Sequence, residues 1–233
     1  VGLASGDSVV TVDVLLETDY DLPADPWNAY FAARFAWPDA DVELVRSLTL
    51  GEEPTTAKRI EAPHYVDLRF DTAQTTILTG GLPYHRRFGE RMLDSLLIVS
   101  GERERRFRFG LGVELTYPLR EAMELMTPPT WARHGQKPAA PTGWLFHLDA
   151  RNVLATAWEP LVEEGRVVGF CVRLLEVAGR SVRASLRTFR PAASARQVDF
   201  LGQTLSSLRV DGDTIQVDIG RYEWLKLEVR WQE

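Results

Sequence analysis

An all-β, antiparallel β-sandwich with one short helix near 118–127 is the fold this sequence predicts. Three observations carry the prediction. Apolar and polar residues alternate with a period of two through most of the chain, the pattern of strands with one wet face. Glycine and Asp-Gly turn signals separate these runs. Only one segment places its apolar residues at helical spacing.

The alternating runs come in order. Val10, Val12, Val14 and Leu16 share one face, with Thr11, Asp13 and Glu17 opposite. Ala29, Phe31, Ala33, Phe35 and Trp37 share another, while Asn28, Tyr30 and Arg34 point away. Val66, Leu68 and Phe70 alternate with Asp67 and Arg69, and Phe107 to Leu115 alternate with Arg106, Arg108 and Glu114. Val182, Ala184 and Leu186 alternate with Arg183 and Arg187. Ile215, Val217 and Ile219, then Leu225, Leu227, Val229 and Trp231, repeat the pattern to the C-terminus. Residues 92–100, 143–150 and 167–176 are apolar enough to read as strands covered on both faces. Asp211-Gly212 between two alternating runs marks a hairpin. Pro118 suits a first helical position, with Leu119, Ala122, Met123 and Met126 following at helical spacing and Pro128-Pro129 ending the run.

At 233 residues and 45% hydrophobic, the chain can build one large β domain or two small ones. Residues 1–160 are expected to form the main sandwich. Residues 161–233 are expected to complete it or to form a small second one. The stretch 127–143, with four prolines and two glycines, reads as a long excursion or a subdomain boundary. No apolar run approaches the roughly 20 residues of a membrane-spanning helix, so a membrane partner is not expected. Val1 to Ser5 lack the basic and apolar regions of a signal peptide, and the absent initiator Met reads as processing or as a cut from a longer protein. The compartment is left open. A single cysteine, Cys171, excludes an internal disulfide framework and a multi-Cys metal site, and its apolar setting reads as a small buried side chain.

The net charge of −6 is unevenly spread. Residues 1–72 hold fourteen acids against five bases, whereas 85–108 has seven Arg and 173–196 has six. The overall acidic balance argues against nucleic acid as a partner. The Arg-rich stretches read mainly as solvated strand faces, with a polar binding surface as the other reading.

Three constellations could carry chemistry. In GGLPYHRR, Gly80-Gly81 and Pro83 force a turn that presents Tyr84, His85, Arg86 and Arg87 together, with Asp94 a few residues on. Aromatic and planar cationic groups suit a sugar; they also suit a loop in which Arg pairs with Glu90 and Asp94. In DPWNAYFAARF, Trp27 lies where a loop enters a strand, as a packing residue or a sugar platform. Trp131 is a second exposed-platform candidate. His147 and Asp149 share a strand face, which is ligand spacing without a third ligand. No metal site is expected in this chain.

The last third resembles the C-terminal region of glycoside hydrolase family 38 α-mannosidases. The residues are Arg173-Leu174-Leu175-Glu176, Gly179, Ala195-Arg196-Gln197-Val198, Leu201-Gly202, Asp211-Gly212-Asp213 and Glu223-Trp224. Trp224 departs from the family, which usually has an aliphatic residue there. DPWNAYFAARFAW and LTGGLPYHRR extend the resemblance towards the N-terminus, over about 8–231. The resemblance implies galactose-mutarotase-like supersandwich strands and, for a full-length protein, retaining α-mannoside hydrolysis with an Asp nucleophile and zinc. Those groups belong to an N-terminal catalytic domain outside this chain, so no catalytic residue is expected here and no cofactor either. The implied partners are a mannoside and the protein's own catalytic domain. The nearest substrate-contacting candidates are Tyr84, His85, Arg86, Arg87 and Trp27. A free-standing carbohydrate-binding module is the alternative. A mutarotase-like enzyme would need His85 or His64 to meet a carboxylate in a concave face.

Overall fold

The computed structural model describes the chain except residues 4–5, 128–129, 132, 134, 136–142 and 233. It forms two compact units, Val1–Pro129 and Thr130–Glu233. The division expected at 160/161 falls inside a strand, whereas the Pro-rich stretch from 127 begins where the units part. Each unit is an antiparallel β-sandwich.

In the first unit, β1 (Val9–Leu15), β2 (Phe31–Ala36), β3 (Glu43–Leu48), β4 (Gly51–Pro54) and β5 (Arg59–Glu61) precede a second run of strands. These are β6 (Tyr65–Arg69), β7 (Gln74–Leu78), β8 (Tyr84–Arg87), β9 (Met92–Ile98) and β10 (Arg106–Val113). One sheet has the order β1-β10-β7-β6-β3-β4 and the other β2-β9-β8-β5. Leu44, Val66, Leu68 and Ile77 of the larger sheet pack against Ile60 and Leu93 of the smaller. The two-glycine turn at Gly80-Gly81 carries the chain from β7 to β8, out of one sheet and into the other. Gly80 has φ +61°, and a Cβ there would lie 2.0 Å from the Arg108 carbonyl oxygen, so no other residue fits.

Helix α1 (Pro118–Met126) starts on its proline as expected and buries Leu119 and Ala122. It lies against β7, β10 and β6. Asp67 in β6, expected on a wet face, is instead fully buried. Its carboxylate accepts from Thr76 Oγ1 at 2.5 Å and Gln74 Nε2 at 3.0 Å, the pairing that a buried charge requires.

In the second unit the strands are β11 (Phe146–Leu148), β12 (Val153–Glu163), β13 (Arg166–Glu176), β14 (Val182–Thr188) and β15 (Ala192–Val198). They continue as β16 (Thr204–Ser207), β17 (Arg209–Asp211), β18 (Thr214–Ile219) and β19 (Trp224–Trp231). The sheets are β11-β14-β18-β17 and β12-β13-β19-β15-β16. Their inner faces meet through Ala184, Leu186, Ile215 and Val217 on one side and Phe170, Val172, Leu174, Leu225 and Leu227 on the other. Asp211-Gly212 forms the expected hairpin. The run 143–150 yields only the three-residue edge strand β11, whose His147 is exposed rather than covered on both faces.

Glu176, Gly179 and Glu223 of the motif hold turns of this unit. Buried Glu176 accepts from Asn152 Nδ2, Ala178 N and Tyr222 N at 2.8–2.9 Å. Burial pushes its carboxyl up, but the N–H groups of Tyr222, Ala178 and the Asn152 amide outweigh it and hold it below the ordinary glutamate value. Glu223 Oε2 accepts from Gly220 N. Gly179 has φ +65°, and a Cβ there would lie 2.7 Å from the Tyr222 hydroxyl oxygen and 2.8 Å from its ring.

Candidate functional site

Four strands of the first unit place four charged residues in one row. In the sheet β2-β9-β8-β5, Arg34 pairs with Asp94, Asp94 with Arg86, and Arg86 with Arg59. Because alternate residues of a strand share a face, these side chains all emerge on the outer side, away from Ile60 and Leu93. Arg87 N donates to Lys58 O at 2.9 Å and Ala62 N to Pro83 O at 2.8 Å. Those are the hydrogen-bonded pairs of β5 and β8. Arg59 and Arg86 therefore form a non-hydrogen-bonded pair, the kind in which opposed Cα atoms approach to about 4.5 Å.

Asp94 anchors one end of the row. Arg34 grips it bidentately, Nε to Oδ1 at 2.6 Å and Nη2 to Oδ2 at 2.8 Å, and Tyr30 donates its hydroxyl at 2.9 Å. Burial raises the Asp94 carboxyl, but Arg34 and Tyr30 outweigh that and hold it below the ordinary aspartate range. Burial and the neighbouring Asp94 push the Tyr30 phenol up.

Trp27 sits at the other end. Asp25 closes a side-chain turn by accepting from Trp27 N at 3.0 Å and Asn28 Nδ2 at 2.7 Å. The turn puts the Trp27 carbonyl where Arg86 Nη1 donates to it at 2.7 Å. The Arg59 guanidinium lies 5.1 Å from the Trp27 ring centroid, and Tyr84 meets that ring edge-on at 6.1 Å. Phe88 takes Arg34 at 4.7 Å and Arg86 at 5.7 Å. The result is an aromatic-framed cationic face (half-buried Trp27 and Arg86, with Tyr84 51% exposed).

The five candidates from the sequence divide. Trp27, Tyr84 and Arg86 come together. Arg87 turns aside, Nη2 donating to Glu90 O at 3.0 Å. His85 points to the opposite side and is fully buried. Its Nε2 donates to the Ala62 carbonyl at 3.1 Å, which leaves Nδ1 to accept from Ser95 Oγ at 2.9 Å. Burial lowers its pKa to about 4, so it is a neutral core histidine at pH 7. His64 pairs with Ser47 Oγ at 3.1 Å, and burial also lowers its pKa. Neither histidine makes a hydrogen bond or ion pair with a carboxylate among the described residues. Arg59 and Phe88 escaped the sequence reading. Arg59-Ile60-Glu61 has the right alternation, but nothing local sets Arg59 opposite Arg86.

The remaining candidates gather no site. Asp149 Oδ1 accepts from Ser185 N at 2.8 Å, beside exposed His147. Among the described residues no three His, Cys, Asp or Glu side chains converge. Trp131 is 85% exposed, and His134 lies outside the described residues.

No protein-family model matches the chain, and no curated protein does. Solved structures do. A protein of glycosyl hydrolase family 38 from Enterococcus faecalis superposes with a TM-score of 0.71 at 13% identity, over 99% of this chain and 29% of that one. An α-mannosidase from Enterococcus faecalis V583 gives 0.70 at 13% identity, over 99% and 28%. The chain thus spans less than a third of these structures, and it has the fold of that part of them.

Proposed function

We propose that this chain is the non-catalytic β-sandwich region of an α-mannosidase-like glycoside hydrolase, bracing or completing the active site of a catalytic domain elsewhere in the same protein. One observation carries this reading. Nearly the whole chain superposes on under a third of two structures, one a family 38 glycosyl hydrolase and one an α-mannosidase. The ordered motifs from Arg173 to Glu223 support it from the sequence side. Zinc and the nucleophilic Asp would belong to the catalytic domain, and a mannoside would be the substrate.

The test is the native polypeptide. Antibodies raised against this chain should isolate from its natural source a protein far larger than 26.3 kDa. That protein should hydrolyse an aryl α-mannoside and lose activity to a zinc chelator. The isolated chain should turn over none. A native 26.3 kDa polypeptide, or turnover by the isolated chain, would overturn the reading.

A free-standing carbohydrate-binding module is the second reading, favoured by the edge-to-face Trp27 and Tyr84 beside Arg59 and Arg86. Calorimetry with mannose and manno-oligosaccharides tests it; no heat at millimolar ligand removes it.

A further inference from the structure

We infer that the outer face of β2-β9-β8-β5 takes a saccharide bearing an anionic group, with Arg59 and Arg86 reading the charge and Trp27 and Tyr84 the ring. This rests on the carbohydrate reading above and narrows its ligand.

The observation behind it is a cross-strand pair of like charges, neither of which is bonded to a carboxylate. Arg59 and Arg86 stand directly opposite each other, in the kind of pair where cross-strand side chains come closest. Like charges placed so repel. Neither makes an ion pair with a carboxylate among the described residues, whereas Arg34 beside them does. Two acids lie close, Asp94 across the strand from Arg86 and Asp25 near Arg59, and each attracts its neighbour, but their hydrogen bonds go elsewhere. Asp94 already accepts two N–H bonds from Arg34 and one from Tyr30. Asp25 holds the Trp27 turn. Glu61 lies one row further along, opposite Tyr84.

The groups that touch the two guanidiniums are aromatic rings, the Trp27 carbonyl and the Tyr30 hydroxyl, and none of them is a carboxylate. Arg59 rests on the Trp27 ring, and Arg86 lies between the Tyr30 and Phe88 rings with one N–H on the Trp27 carbonyl. Arg59 donates no hydrogen bond to a protein acceptor among the described residues. Two forked, oriented guanidiniums match the paired oxygens of a phosphate or carboxylate. Trp27 and the exposed Tyr84 edge add an apolar surface beside them. A neutral sugar's hydroxyls would accept from either guanidinium but leave the two cations opposed; a sugar phosphate or a uronate would also relieve their repulsion.

Calorimetry on the chain with mannose, mannose 6-phosphate, mannuronate and inorganic phosphate tests this. At least one charged sugar should bind about tenfold tighter than mannose, and comparing the two tells phosphate from carboxylate. Arg59→Gln and Arg86→Gln should each weaken it about tenfold, with unchanged circular dichroism. Trp27→Ala should weaken the charged sugar but not inorganic phosphate. Equal affinity for mannose and its charged derivatives overturns the inference and leaves the neutral-saccharide reading standing. Inorganic phosphate binding as tightly as mannose 6-phosphate overturns the sugar half. No binding by any ligand overturns both this inference and the module reading, while the α-mannosidase reading is judged separately by the native polypeptide.

Discussion

Arginine is used in opposite ways on two strand faces, one in each unit. On β14 and β15 of the second unit, Arg183 meets Asp218, Arg187 meets Asp213 and Arg196 meets Glu228. These are neutralised, solvated strand faces, the ordinary outcome for an Arg-rich alternating strand. On β5 and β8 of the first unit, Arg59 faces Arg86, and both guanidiniums lie against aromatic rings without an ion pair. The sequence shows the same alternation of Arg with apolar residues in both places. What distinguishes them is the identity of the residue across the strand. The interiors differ too. The first unit buries His85, Asp67 and Asp94, whereas the clustered core of the second is aliphatic and aromatic, with Glu176 set apart from it.

The comparison can be broken or sharpened by substitution, from the largest effect to the smallest. Phe170 is 1% exposed and stacks on Phe146 and Trp158 at 6.4 and 6.0 Å. Phe170→Ala should cost about 4 kcal/mol, read by hydrogen exchange across β13 and β19. A loss well under half of that would mean the second core is loosely packed.

Acid should act on the first unit through His85. Its folded pKa of about 4 lies below the ordinary 6.5, so the unfolded chain binds the proton first. Stability is therefore intact above 6.5 and falls by about 3 kcal/mol as pH drops to about 4. Buried Asp67, whose carboxyl burial pushes up, works in the opposite sense above 3.8. Comparison with His85→Gln, whose amide can serve both Ala62 and Ser95, isolates the histidine. The variant's exchange rates between pH 7 and 4 should lose the His85 slope; an unchanged slope would assign it to another group.

Glu176→Gln replaces one carboxylate oxygen by an N–H donor facing backbone N–H groups. It should destabilise the second unit by about 2 kcal/mol, measured by urea unfolding. The wild-type contribution of Glu176 is present above the ordinary value of 4.5 and is lost as pH falls below it, a lower window than that of His85. At the bottom of the scale, Arg183→Ala on the exposed face of β14 should leave the melting curve unchanged. A measurable shift would show that the paired faces of the second unit are structural after all.

Much of the fold was legible in local pattern. The inward residues of β14, β18 and β19 are the alternating ones, α1 begins on Pro118, and Gly212 turns its hairpin. The candidate site was half legible. Trp27, Tyr84 and Arg86 carried the right chemistry, while His85, adjacent in the chain, went to the core because successive strand residues face opposite ways. Arg59 and Phe88 carried no local sign of belonging.

Sequence alone thus determined strand content, the position of the helix, and the presence of a turn before β8. These depend on neighbours within a few residues, where period and φ preference act. Only the tertiary structure decided between excursion and boundary for the stretch from 127, that Asp67 is buried, and that Arg59 stands opposite Arg86. Register and face coverage join residues far apart in the chain, and no local pattern encodes which strand will lie alongside.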